Sequence, residues 1–202
     1  MMVTKLGQVK KIKSEKLKRP RDTGMTAIGL DKGDDLIDVI LLDVADADII
    51  MVSKSGLSIR FHEKSIRAMG RSGSGVLGMN IDSGDEVVSV HIVNESNDKQ
   101  KLMTITDEGY GKQTSISKFR PQRRGGRGVI CMETSAYLGN VIAAHVVANE
   151  GDDALITTAK GIMIRFPISE VKSMGRNCRG CKIQRLEEGD KISAISIISG
   201  EK

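Results

Sequence analysis

The 202-residue sequence predicts an all-β fold, a propeller-like array of about four four-stranded blades. Three observations carry that expectation: a layout that returns about every fifty residues, apolar runs of strand rather than helix character, and a basic block that recurs once per repeat. Glycines mark the layout. Each repeat opens on a short apolar run and a turn closed by glycine: TKLG at Gly7, IIMVSKSG at Gly56, LMTITDEG at Gly109 and LITTAKG at Gly161, at spacings of 49, 53 and 52. A second glycine follows at Gly24, Gly75, Gly128 and Gly180. A third mark is Gly-Asp, at Gly33, Gly84 and Gly189; the third repeat departs from it with SAYLGN around Gly139. The repeats run roughly over 1–45, 46–97, 98–149 and 150–202, and with no linker between them the chain reads as a single repeat domain over 1–202. The polar stretch 94–99 reads as a loop between repeats, and the short first repeat as an array entered part-way.

The elements follow in order. LIDVILLDV, IIMVS, VVSVHIV, LMTIT and ISAISII are rich in β-branched residues, short, and bounded by Gly, Asp, Asn or Ser, which predicts strands. Helical spacing is confined to weak candidates near Glu63–Met69 and Ile168–Met174. Ten residues after the first glycine stand Leu17, Ile66, Phe119 and Val171, all apolar and expected to face inward. The next residue is basic every time: Lys18, Arg67, Arg120 and Lys172. Four residues after the glycine stand Lys11, Arg60, Gln113 and Arg165.

Charge is arranged in the same period. The net charge is only +5, but it alternates in blocks: Met1–Gly24 carries +6 and Asp31–Asp48 −6, Lys54–Gly73 +4 and Asp82–Asp98 −5, Lys99–Gly128 +6 and Val129–Asp153 −4, Ala154–Arg185 +6 and Leu186–Lys202 −2. Equivalent positions of successive blades lie at equivalent places around an array, so the basic blocks are expected to form a belt. Many phosphate contacts along a curved cationic rim suit a bent duplex, because they offset a bending cost of several kcal/mol per 20–30 base pairs. No segment reads as a recognition helix, so the expected recognition is by charge and shape, largely independent of sequence. The candidate DNA-binding residues are Lys11, Lys18, Arg60, Arg67, Arg71, Lys112, Arg120, Arg165, Lys172, Arg176 and Arg179. Aromatic residues make up 2% of the chain, too few for a binder that stacks single-stranded bases.

Other chemistry is weakly signalled. No run approaches the 18 apolar residues of a membrane helix, and MMVTKLGQVKKIK lacks the apolar centre of a signal peptide, so no membrane partner and a cytoplasmic location are expected. Three cysteines suit a reducing compartment. Cys178 and Cys181 form a CxxC with no second pair to complete a zinc site, and Cys181 holds the position of Met25, Val76 and Val129, which reads as strand. The GxGxxG of Gly73–Gly78 has no following helix, and the sequon at Asn94–Ser96 is incidental. His62, His91 and His145 are scattered. A P-loop is absent, and no cofactor, metal or catalytic residue is expected.

The third repeat contains PQRRGGRG, Pro121–Gly128, whose arginines and glycines suit an anion-binding loop. Within this repeat the segment resembles the heptapeptide box of the DNA gyrase A C-terminal domain family, matched at Gln122, Arg123, Arg124, Gly125, Gly126, Arg127 and Gly128. GYGKQTSISKF, IRFHEKSIRAMG and MGRNCRGCKIQRLEEGD resemble blades of the same family, so the likeness spans essentially the whole chain. It implies a β-pinwheel, a propeller variant whose blades exchange strands. The family's domain usually has six blades with the box in the first, whereas here about four repeats carry it in the next to last; GYGKQT resembles the fifth blade. The likeness therefore implies that these are blades three to six and that Arg123–Arg127 contact DNA along its path rather than start a wrap. It further implies a non-catalytic domain that bends double-stranded DNA for strand passage and negative supercoiling, at the nucleoid, with the rest of gyrase A and, through it, gyrase B as partners. The break-forming tyrosine belongs to another part of that family's proteins, and Tyr110 and Tyr137 occupy repeat positions here. Two other readings stand beside this one: the equivalent domain of topoisomerase IV, and a propeller serving as a protein-interaction scaffold.

Overall fold

A computed structural model describes residues 1–18, 22–44, 46–94 and 99–199. Glu95 and Ser96 of the sequon, and most of the loop expected at 94–99, lie outside these residues. The first repeat contributes strands β1 (Met2–Thr4), β2 (Gln8–Lys10) and β3 (Leu36–Val39). The second contributes β4 (Asp48–Ser53), β5 (Leu57–His62), β6 (Val76–Leu77) and β7 (Val87–Val93). The third supplies β8 (Lys101–Thr106), β9 (Tyr110–Ser115), β10 (Val129–Ile130) and β11 (Val141–Val147), and the fourth β12 (Asp153–Thr158), β13 (Met163–Pro167), β14 (Cys181–Lys182) and β15 (Ile192–Ile198). Among the described residues there is no α-helix. The two helix candidates are single 3-10 turns, Glu63–Ser65 and Ile168–Glu170, ended at once by Ile66 and Val171 in extended conformation.

Strand exchange organises the sheets. They run β3-β1-β2-β6, β7-β4-β5-β10, β11-β8-β9-β14 and β15-β12-β13, all antiparallel. In the first three, the outermost strand comes from the following repeat, in one register: Val76 faces Val9, Val129 faces Ser58 and Cys181 faces Gly111. Cys181 is thus a strand residue. Four four-stranded blades were expected; the fourth sheet has three strands among the described residues, because a fourth strand arrives only from a next repeat.

Glycine makes the exchange possible. A Cβ on Gly128 would lie 2.3 Å from the Ser58 carbonyl oxygen, and its φ of +87° lies in the left-handed region. Gly75 and Gly180 meet Val9 and Gly111 in the same way.

The core lies between blades. Every residue of β4 is buried, so Ile49 and Met51 pack with Met1, Val3 and Val9 of the blade before, while Ile50 and Val52 pack with Leu102, Tyr110 and Phe119 of the blade after. That double burial explains why IIMV reads as a continuous apolar run instead of an alternation. Each such side chain contributes about 1.5–3 kcal/mol relative to exposure, well above a surface ion pair at about 0–1 kcal/mol, so apolar contact between blades dominates the fold.

Candidate nucleic-acid interface

Each basic belt residue leaves its blade directly after the 3-10 turn. The preceding apolar residue anchors it: Ile66 and Phe119 are 1% exposed and Val171 5%, with Leu17 half-buried. The following residues, Lys18, Arg67, Arg120 and Lys172, are all exposed, as the in/out alternation requires. The chain then crosses back to the preceding blade, where the Met69 N–H bonds the Lys11 carbonyl (2.8 Å), Gln122 that of Arg60 (2.7 Å) and Met174 that of Gln113 (2.8 Å). The basic loops therefore bridge neighbouring blades along one rim.

Four residues after the glycine the side chains serve a different purpose. Gln113 Nε2 donates to the Ile168 carbonyl at 2.6 Å, Arg60 Nη1 to that of Phe119 at 3.1 Å, and Lys11 Nζ to that of Glu63 at 3.2 Å, besides pairing with the Glu63 carboxylate. Each ties its blade to the 3-10 turn of the next. Arg60 is 3% exposed and its Nε lies 2.7 Å from the Asp48 carboxylate. Arg60 is accordingly not an interface residue: its guanidinium is consumed between blades. Lys112 needs the same correction. It is fully buried, its ammonium lying 2.6 Å from both the Gly175 and Arg176 carbonyls, and burial lowers its pKa. Lys10, buried in the same way one sheet earlier, holds the Ala27, Arg71 and Gly73 carbonyls. These two ammoniums shape the basic loops from beneath. Arg165 is exposed and pairs with Asp153 at 2.6 Å.

The Arg-Gly loop is only partly open. Arg124 donates to the Ser65 and Leu77 carbonyls at 3.1 and 3.0 Å, and Arg127 pairs with Asp82. Arg176 reaches back likewise to the Ile130 carbonyl (2.9 Å), and Arg71 to the Met25 sulfur (3.4 Å). The Gly125 N–H bonds the Gly78 carbonyl at 2.6 Å, and Gly126 accepts from Asn80 at 2.9 Å. These glycines seat the loop on the preceding repeat. Gln122 is half-buried. Arg123 and Arg179 are exposed, and their side chains, like those of Arg67, Arg120 and Lys172, make no hydrogen bond or ion pair among the described residues. Sequence reasoning passed over Lys118, exposed on the 3-10 turn beside Arg120, and Lys13 and Lys16 at the first 3-10 turn; the signal was the density of lysine around the belt position.

Opposite charges occupy the other end of the blades. Asp34, Asp85 and Asp190 accept the N–H of Leu6, Ser55 and Lys160 at 2.8, 2.9 and 3.1 Å, bracing the turn before each first glycine. The third repeat inverts the arrangement, with Asp107 accepting the Asn140 N–H at 2.8 Å. Three lysines at that end are neutralised: Lys5 and Lys54 by Glu86, Lys191 by Asp107 and Glu108. A six-residue strand spans about 20 Å, so unpaired cations and paired acids are segregated across the blade.

The remaining signals fall into the scaffold. Tyr110 is buried and packs on exposed Tyr137, with ring centroids 5.8 Å apart. Burial pushes the Cys131 thiol up to about 12. No cluster of three or more His, Cys, Asp or Glu able to hold a metal occurs among the described residues, and no helix there is long and apolar enough to cross a membrane.

Blades that exchange strands, with a cationic rim running between them, define a β-pinwheel. The chain belongs to the DNA gyrase C-terminal domain, beta-propeller family, whose model matches residues 1–43, 47–94, 100–148 and 152–199. It is 37% identical over 194 residues to the DNA gyrase A protein of Pseudomonas aeruginosa, covering 96% of this chain and 20% of that protein. It is 35% identical over 201 residues to that of Lawsonia intracellularis, covering 99% and 24%. The chain thus spans less than a quarter of these relatives' length. Among solved structures, a DNA gyrase A C-terminal domain superposes with a TM-score of 0.83 at 25% identity, over 98% of this chain and 64% of that one. The C-terminal domain of DNA topoisomerase IV superposes at 0.89 with 24% identity, over 97% and 60%, a likeness of fold.

Proposed function

We propose that the chain is a non-catalytic DNA-binding domain, single over residues 1–202, that bends duplex DNA around its basic rim and works as part of a gyrase in the bacterial cytoplasm, with the remainder of gyrase A and, through it, gyrase B. One observation carries the reading: exposed Arg67, Arg120, Arg123, Lys172 and Arg179 stand without ionic partners among the described residues, while Lys5, Lys54 and Lys191 at the other end of the blades are paired with acids. Unneutralised cations in phase along one rim bind polyphosphate and leave base edges unread, so affinity is salt-dependent and sequence-independent. Lys18, Lys118, Arg71, Arg176 and Arg124 extend the rim, the last three with part of the guanidinium committed to the scaffold. Family membership supports gyrase over topoisomerase IV, since relatives at 34–35% identity over almost the whole chain are gyrase A proteins and the Arg-Gly box is intact.

Replacing Arg67, Arg120 and Lys172 together by Ser tests the rim. Duplex affinity should fall, and the slope of log K against log salt should flatten by up to about 0.9 per lost phosphate contact. A slope equal to the parent's would remove the rim from the mechanism.

A further inference from the structure

Two large apolar side chains stand exposed among the arginines of the rim. The exchanged strands β6 and β10 alternate over their two residues. Val76 and Val129 pack against the core between blades, while Leu77 and Ile130 turn away from it and are 37% and 46% exposed. Both belong to inner repeats, with a repeat of this chain on either side, so neither is an open end of the array. In the third joint the same place is held by Lys182, whose ammonium lies 4.7 Å from the centre of the Tyr110 ring.

An arginine rests on each of the two apolar positions. Arg124 Nη1 donates to the Leu77 carbonyl at 3.0 Å and Arg176 Nη1 to the Ile130 carbonyl at 2.9 Å, so the two guanidiniums stand at equivalent places one blade apart. Beside Ile130 the surface opens into a groove of about 380 Å3 whose walls come from three repeats: Leu57 of the second, Arg127 and Ile130 of the third, Arg176 and Asn177 of the fourth. Arg127 is paired with Asp82, but both side chains are at least half exposed, and a pair so open to water is weak enough for a phosphate to replace the carboxylate.

An apolar floor between cationic walls is complementary to a nucleic-acid backbone. Its phosphates are anionic, its deoxyribose faces are apolar, and the sugars line the minor groove. That groove narrows where a duplex bends toward a protein, which draws arginine to it. We infer that Leu77 and Ile130 are DNA-contact residues, lying against deoxyribose in the minor groove where the duplex bends onto the rim. Arg124 and Arg176 take the flanking phosphates, joined by Arg127 once it leaves Asp82. The inference rests on the reading of the chain as a duplex-binding domain and adds to it a contact that is apolar and insensitive to salt. Repeated on two successive blades, it holds the bend by burial as well as by charge.

Salt dependence separates this contact from the phosphate contacts. Affinity of the full chain for a mixed-sequence duplex is to be measured across a salt series for the parent, for Leu77→Ser combined with Ile130→Ser, and for Leu77→Ile combined with Ile130→Val. The serine pair should give a line of log K against log salt parallel to the parent's and about tenfold weaker throughout, with an unchanged thermal midpoint. The conservative pair should coincide with the parent. Serine variants that bind as the parent does overturn the inference. A flattened slope overturns it too, because the side chains would then only prop the loops that carry the arginines. A parent that binds no duplex sinks the proposed function along with this contact, whereas a salt-dependent parent matched by the serine pair removes the contact alone.

Discussion

The ion pair of Arg60 with Asp48 and that of Arg165 with Asp153 occupy the same repeat position, yet burial gives them different weight. Asp48→Ala leaves a buried guanidinium without its counter-charge and should cost about 3–5 kcal/mol. Asp153→Ala, beside an Arg165 side chain that is 60% exposed, should cost less than about 1 kcal/mol. Urea unfolding of both variants measures the difference, and equal losses would contradict the assignment of Arg60 to the joint between blades. Box glycines divide in the same manner. Gly128→Ala forces a Cβ against the Ser58 carbonyl at positive φ and should destabilise by more than about 2 kcal/mol, while Gly126, whose Cβ would meet nothing closer than 3.6 Å, should tolerate alanine within about 1 kcal/mol. Thermal midpoints of the two variants decide it. Residue by residue, the exposed basic position was legible because an apolar anchor precedes it every time. Arg60 and Lys112 were misjudged because their partners are carboxylates and main-chain carbonyls brought near by blade packing, and a main-chain carbonyl leaves no mark in sequence.

At the scale of elements, long strands such as VVSVHIV and IIMVS were plain from β-branched composition, and the Gly-Asp marks were visible before their purpose was. That purpose is to brace the turn before the first glycine, which also explains how the third repeat dispenses with Gly-Asp: Asp107 and Asn140 exchange the donor and acceptor places. The exchanged strands β6, β10 and β14 are two residues each, too short for any periodic signal. Strands β7 and β11 hold the two histidines that join blades. His91 Nε2 lies 2.6 Å from the Ala144 carbonyl and its ring centroid is 5.4 Å from that of His145. Burial, and then the neighbouring His91, lower His145 to about 4; burial lowers His91 as well. Between about pH 6.5 and 4 the unfolded chain binds a proton that folded His145 does not, so stability is full above this window and falls as pH drops through it, by at most about 3 kcal/mol for His145. Thermal unfolding at pH 7 and pH 5 should show the loss, and His145→Gln should reduce its slope; an identical slope in that variant would exclude His145 as its source.

For the whole molecule, the charge blocks read from sequence become two surfaces because the second strand carries the chain from the glycine turn at one end of each blade to the 3-10 turn at the other. In-phase repetition then turns isolated arginines into a rim. What the sequence alone did not show is that much of the Arg-Gly loop is committed to the fold, so the rim depends on Arg67, Arg120, Arg123, Lys172 and Arg179 more than on the complete box. A curved cationic rim of this kind should bend a duplex in one sense. The direct measurement is a topological one: nicked plasmid incubated with the chain at low salt, sealed with ligase, stripped of protein and compared in linking number with an untreated control. A positive shift that grows with protein concentration is the predicted result. Salt-sensitive binding with no change in linking number would contradict wrapping and leave the rim as a surface that only holds DNA.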